Sequence, residues 1–270
     1  MNSWMAHLSP TGRNGNQRIV LSRTPNARAE ADFSGGAITA SRLRRTRLRL
    51  PSSHMALRGL IFDFDGLLVD TETAIVSAWM DIHTEDGLNA DRAILHALIG
   101  HVGMDADIWR AYPTTHDRDA LGLRMQILAR QRCEIAPLRP GVLAMLNAAQ
   151  SAGLKLAVAS NSSHRHVDGH LEARGMLSKF QAILCRDDVP RGKPAPDLYL
   201  AALDQLGLRP EEAVAFEDSV PGHQAAAAAG LRVVVIPNPA TADCTFPLAA
   251  LRVPTMDALC LSTLEKLALP

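Results

Sequence analysis

An apolar run, Leu60-Ile61-Phe62, breaks abruptly into Asp63-Phe64-Asp65-Gly66. Consecutive apolar residues suit a strand buried on both faces of a parallel sheet; a half-exposed strand would alternate. The two acids then fall at the carboxyl edge, where open α/β sheets bind ligands. Side chains two apart on an extended chain point the same way, about 6.6 Å apart. At an effective dielectric near ~20, two carboxylates at that spacing repel by roughly 2.5 kcal/mol. That is worth about two pKa units, so the pair is expected to share a proton or face a cation. One carboxylate would then be a metal-bound nucleophile and the other a general acid holding its proton. Asp-x-Asp also ends strands as a simple turn cap, which is the competing reading for the bare pattern.

The chain after Pro140 sustains the strand–helix alternation of a parallel sheet. The spacing predicts a helix over 141–152 ending at Gly153, a strand over 154–159, a helix near 164–174 and a short strand at 182–184. A helix near 197–206, a strand over 213–216 and a helix through Ala225–Ala229, capped by Gly230, follow. A strand over 231–236 is expected to close the sheet, with the remaining chain wrapping its edge and ending in a short helix. Between 73 and 137 strand signals vanish. Apolar residues recur at helical spacing in Ala74–Ile82, Ile94–Ile99 and Leu121–Leu128. The expected fold is α/β, a Rossmann-like parallel sheet flanked by helices. Residues 55–72 and 138–270 would form its core, and 73–137 an inserted α-helical domain.

Charge divides the chain. Residues 1–54 hold nine arginines, no lysine and two acids, Glu30 and Asp32, whereas the remainder carries 19 basic and 26 acidic residues. The arm has no sustained period and reads as disordered. Met55 sits directly before the first strand, so the fold would lose nothing without the arm; a leader peptide, or a nucleic-acid or membrane-surface arm, are the alternatives. The acidic body is a poor nucleic-acid binder, and no apolar run reaches the roughly 20 residues of a membrane span. Cys133, Cys185, Cys244 and Cys260 form no Cys-x-x-Cys pair and are expected to be buried, reduced thiols of a cytoplasmic protein.

Three more polar clusters follow strand ends and should share the rim with Asp63 and Asp65. Ser160 and Asn161 stand at a helix start, where hydroxyl, backbone N–H groups and helix dipole make an anion cradle; N-capping explains them about as well. Lys193, between Gly192 and Pro194, can neutralise phosphate charge. Glu217-Asp218 follows Phe216 as Asp63 follows Phe62, and supplies the oxygen ligands a hard cation takes. Together they describe phosphoryl transfer, in which positioning and charge neutralisation supply most of the catalysis. His164, His166 and His170 are expected to be exposed helix residues, since no third ligand is spaced to complete a metal site. Trp79, Trp109 and Tyr112 are expected in the core of the helical insert, while His101 and Arg110 are insert residues able to touch substrate.

The stretch Phe62-Asp-Phe-Asp-Gly-Leu-Leu-Val-Asp-Thr-Glu72 resembles the first motif of the haloacid dehalogenase superfamily of phosphohydrolases. Ser160-Asn161-Ser162, Gly192-Lys193-Pro194 and Phe216-Glu217-Asp218-Ser219-x-x-Gly222 resemble its second, third and fourth motifs, in the proper order. The resemblance implies Asp63 as the nucleophile that forms an aspartyl-phosphate and Asp65 as general acid/base, its carbonyl also a magnesium ligand. It implies Ser160, the Asn161 backbone and Lys193 around the phosphoryl group, and Asp218 on the metal with Glu217 assisting directly or through water. The insert is similar to the cap of the β-phosphoglucomutase-like branch. The mutase's cap histidine and arginine are absent: Ile75 stands at the first position and Gly100-His101-Val102-Gly103-Met104 at the second. The implied activity is therefore a magnesium-dependent phosphatase of a sugar or polyol phosphate, with phosphosugar mutase as the alternative. A small phosphorylated substrate, rather than nucleic acid or a membrane, is the expected partner of a monomeric enzyme.

Overall fold

The computed structural model describes residues 57–91, 94 and 107–268. The arginine-rich arm, the helix expected beyond Ile94, and the segment Gly100–Met104 with His101 lie outside the described residues. Six strands, β1 (Gly59–Phe62), β2 (Lys155–Ala159), β3 (Ala182–Leu184), β4 (Ala213–Glu217), β5 (Arg232–Val235) and β6 (Leu251–Arg252), form one parallel sheet. Their order is β3-β2-β1-β4-β5-β6. Among the described residues seven α-helices accompany it: α1 (Thr71–Glu85), α2 (Arg118–Ile135), α3 (Val142–Ser151), α4 (His164–Ala173), α5 (Asp197–Leu206), α6 (Val220–Ala228) and α7 (Leu261–Ala268).

The uninterrupted apolar strands exist because both faces of the sheet are covered. Leu60 and Phe62 join Leu156, Val158, Val214, Phe216 and Val234 in one layer, filled from outside by α3, α4 and Leu264 of α7. Ile61 lies in the other layer with Ala157, Ala159, Ala215 and Val233, covered by α5 and α6. The register pairs Phe62 with Phe216, and their rings stack 4.7 Å apart. That pairing sets residues 63 and 217 side by side. The chain runs outward through β1, β2 and β3, then crosses back to place β4 on the far side of β1. This reversal opens the crevice in which open α/β sheets hold ligands.

The sheet does not close at β5, as the sequence suggested. β6 adds a sixth strand, with Ala250 N–H donating to Val233 O at 2.8 Å and Val253 N–H to Val235 O at 3.0 Å. Two residues are too few to show a period, so nothing in the sequence marks it.

The helical insert has its own core of Val76, Trp79, Ile82, Ile108, Trp109, Tyr112 and Leu121. Trp79 Nε1 donates to Ile108 O at 3.1 Å and Tyr112 O–H to Ile82 O at 3.2 Å, so both aromatic polar ends are satisfied inside it. Arg124 on α2 ties Glu85 and Asp86 at the end of α1. Arg110 pairs with Asp91 on the surface. The chain enters and leaves the insert at one place: Val69 and Leu138 form an antiparallel bridge, and Asp70 N–H donates to Pro137 O at 3.0 Å. Cys133, Cys185 and Cys244 are buried, but Cys260 is exposed at the start of α7. Among the described residues no helix is long and apolar enough to cross a membrane.

Candidate active site

Strand β1 ends at Phe62, so Asp63 and Asp65 lie just beyond it and strand alternation no longer governs them. Asp63 N–H still donates to Phe216 O at 3.0 Å, which holds Asp63 against the end of β4. The turn that follows needs Gly66. Its φ is +77°, and a Cβ there would come within 2.2 Å of Asp218 Oδ2.

Lys193 is the centre of charge. Its Nζ lies 2.5 Å from Asp63 Oδ1 and 2.5 Å from Glu217 Oε1, with only 3% of its side chain exposed. Asn161 positions it: Lys193 N–H donates to Asn161 Oδ1 at 2.8 Å, and Asn161 Nδ2 donates back to Lys193 O at 3.2 Å. The Asn161 side chain thus fastens the lysine loop to the end of β2. Glu217 is wholly buried and both its oxygens are taken. Oε1 accepts from Lys193 and, at 2.6 Å, from Tyr199 O–H; Oε2 accepts from Ser219 O–H at 3.0 Å. Asp218 Oδ2 accepts from Asn238 Nδ2 at 2.7 Å, and Thr241 O–H donates to Asp218 O at 2.7 Å. Ser160 is buried at the same rim, its Oγ accepting from Ser162 N–H at 3.0 Å.

The two aspartates of the first motif part company. Burial pushes Asp63 up to about 7, against the pull of Lys193 and helped by the charge of Glu217. Burial also works to raise Asp65, but the nearby His166 and hydrogen bonds from His166, Ser162 and Thr71 win and hold it at about 2. Asp65 Oδ2 accepts from Ser162 O–H at 2.6 Å, and Oδ1 lies 2.8 Å from His166 Nε2. The expectation that the second acid keeps its proton is therefore overturned for this arrangement: its neighbours are donors, and they favour the carboxylate.

Acid exceeds base at this rim. Oxygens of Asp63, Glu217 and Asp218 lie within 4.8 Å of one another. Burial, with the charges of Asp63, Glu217 and Glu72, pushes Asp218 well above the usual carboxylate range. Glu72 is also buried, is raised by burial and by the charges of Asp65 and Asp63, and its Oε2 has no partner among the described residues. An all-oxygen, acid-rich set with an unpartnered buried oxygen beside it fits a hard divalent cation.

All seven site residues expected from sequence, Asp63, Asp65, Ser160, Asn161, Lys193, Glu217 and Asp218, stand at or just past the ends of β1, β2 and β4 or in the loop after β3. The sequence reading missed Ser162, Tyr199, Asn238, Thr241 and His166. Asn238 was accessible, since it follows the end of β5 at the same rim. The histidines of α4 were misjudged as exposed. His170 is buried, His166 faces Asp65 with about a quarter of its side chain exposed, and His164 lies between Asp168 and Asp188. Helical spacing shows which residues share a face, not which face meets the site.

Residues 60–236 match the family model described as haloacid dehalogenase-like hydrolase. The Bacillus subtilis protein YhcW is 38% identical over 197 residues, covering 70% of this chain and 88% of its own. Hexitol phosphatase B of Escherichia coli is 31% identical over 205 residues, covering 74% and 92%. The crystal structure of a HAD family hydrolase from Deinococcus radiodurans, with bound phosphate and sodium, superposes with a TM-score of 0.67 at 27% identity, covering 80% of this chain and 98% of that one.

Proposed function

Because the chain belongs to the haloacid dehalogenase-like hydrolase family, in its phosphatase branch, we propose that this phosphoric monoester hydrolase acts on a small sugar or polyol phosphate through an aspartyl-phosphate on Asp63. The observation that carries the reading is the Asp63–Lys193–Glu217 contact, a buried carboxylate held by one ammonium at the crevice between β1 and β4. The similarity to hexitol phosphatase B supports the substrate class.

In this reading a carboxylate oxygen of Asp63 attacks phosphorus and the ester P–O bond breaks. The ester enters as its monoanion and yields its proton to the Asp65 carboxylate, which passes it to the departing oxygen; Asp65 then takes a proton from the water that cleaves the P–O bond to Asp63 and releases inorganic phosphate. Ser160 O–H, the Asn161 backbone and Lys193 hold the phosphoryl oxygens. Asp63, the Asp65 carbonyl and Asp218 would hold a divalent ion, magnesium by donor type, which when bound neutralises phosphoryl charge. Glu217 contributes less directly, since Lys193, Tyr199 and Ser219 already occupy its oxygens. The helical insert is the cap that selects the substrate, and the enzyme works as a cytoplasmic monomer.

A panel of phosphomonoesters assayed with magnesium, wild type beside Asp63→Asn, tests this. A carboxamide is a poor nucleophile and metal ligand, so turnover should fall by at least about three orders of magnitude. Release of no phosphate from any ester by the wild type would end the proposal. Isomer interconversion faster than phosphate release would move it to a mutase.

A further inference from the structure

Asp65 has two tasks that make opposite demands on its carboxylate. It must present one oxygen to the departing oxygen and later to water, yet both of its oxygens are engaged by protein donors. Ser162 O–H holds Oδ2 and His166 Nε2 faces Oδ1. These two donors come from one short stretch of chain, the turn after β2 and the first turn of α4, while a third hydrogen bond reaches Asp65 from Thr71 at the start of α1. Ser162 is anchored there through its own N–H to Ser160 Oγ. Two of the three hydrogen bonds that orient the acid/base thus come from the turn that presents Ser160 and the helix turn following it.

The ring of His166 is itself clamped. It stands edge-on to Phe64, 5.8 Å between centroids, and packs at 4.5 Å against the ring of His170. His170 is buried, and its Nδ1 accepts from Arg174 Nη1 at 2.9 Å. Arg174 in turn donates through Nη2 to Ala136 O at 2.7 Å, where the chain leaves the helical insert. A ring fixed on these sides is a built support, not a surface histidine that happens to touch a carboxylate. Outer partners of this kind usually matter by orienting the group they hold.

Resting on the phosphatase reading for its catalytic consequence, we propose that His166 is a positioning residue that holds the Asp65 carboxylate in the orientation used for proton transfer to the leaving oxygen. Its Nε2–H does the holding; its ring supplies the fixed direction.

Two variants separate these contributions. His166→Phe keeps a ring against Phe64 and His170 but removes the donor. His166→Gln removes the ring but restores an N–H near the Nε2 position. Measured as kcat/KM, His166→Phe should lose on the order of tenfold on an alkyl phosphate such as sorbitol 6-phosphate. It should lose much less on p-nitrophenyl phosphate, whose leaving group departs without a proton. His166→Gln should recover most of the loss. A general structural defect would instead lower both substrates together and would not be rescued. Crystal structures of wild type and His166→Phe supply a readout independent of turnover, the Asp65 rotamer, which should change. Equal kcat/KM on sorbitol 6-phosphate, or an Asp65 carboxylate left in place in the variant crystal, overturns the proposal. A wild type inactive on every ester would overturn the phosphatase reading instead, while the Asp65 rotamer still judges His166.

Discussion

Adding one methyl group at Gly222 should dismantle the site from beneath. A Cβ built there lies 2.0 Å from the carboxyl carbon of Glu217 and 2.0 Å from each of its oxygens. Ordinary contact begins at 3.4 Å, so the carboxylate must retreat by roughly 1.4 Å. A shift of that size takes the Lys193, Tyr199 and Ser219 contacts, now 2.5, 2.6 and 3.0 Å, beyond hydrogen-bonding range. Breaking a buried ion pair costs about 3–5 kcal/mol. For a protein of this size that corresponds to a fall in Tm on the order of 10 °C. Gly169 is the control, because it lies within α4 and a Cβ there meets nothing within 4 Å. Gly169→Ala should stabilise by about 0.5–1 kcal/mol through helix propensity alone. The same chemical change therefore has opposite signs at two glycines, read by thermal melts and phosphate release side by side. If Gly222→Ala melted with the wild type and kept its activity, the argument from close approach would be wrong.

The metal-free protein should lose stability as pH rises from about 4 to 7. Asp63, at about 7, and Asp218, also raised, bind more protons folded than unfolded across that window, so the folded state is penalised as they ionise. Magnesium should remove most of the decline; melts of chelated protein that stay flat or rise would count against crowded carboxylates. Asp65 has the opposite sign. Its folded value of about 2 contributes stability that is lost on acidification below about 4. Tyr199→Phe should cost about 1–3 kcal/mol by removing the hydroxyl from buried Glu217, seen as a lower urea midpoint at unchanged slope, and an unaltered midpoint would mean the hydroxyl is dispensable.

Residues at strand ends were legible because a parallel sheet converts chain order into place. An apolar run followed by a polar residue marks a carboxyl edge, and several such edges must meet at one rim. The register of Phe62 on Phe216 is the physical form of that inference. What the pattern could not give was the state of each acid. Asp63 and Asp65 are two residues apart, yet the first meets Lys193 and the second meets Ser162 and His166. Those partners come from a loop and a helix far along the chain, so sequence neighbourhood carries no trace of them. Nor does anything in the sequence show that the Asn161 side chain holds the lysine loop. Tyr199 was hidden for a different reason. An aromatic on the buried face of α5 is ordinary packing until the carboxylate beneath it is seen.

The two ends of the helical insert meet at the Val69–Leu138 bridge and the Asp70–Pro137 and Arg139–Leu68 hydrogen bonds, braced by Arg174 of α4 on Ala136 O. Its interior of Trp79, Trp109, Tyr112 and their neighbours shares no residue with the two layers that flank the sheet. Such a cassette can be rebuilt, lengthened or exchanged while strand register and the acidic rim stay as they are. If the insert selects the substrate, as proposed, recognition and cleavage lie in separate stretches of one chain that meet where the insert begins and ends.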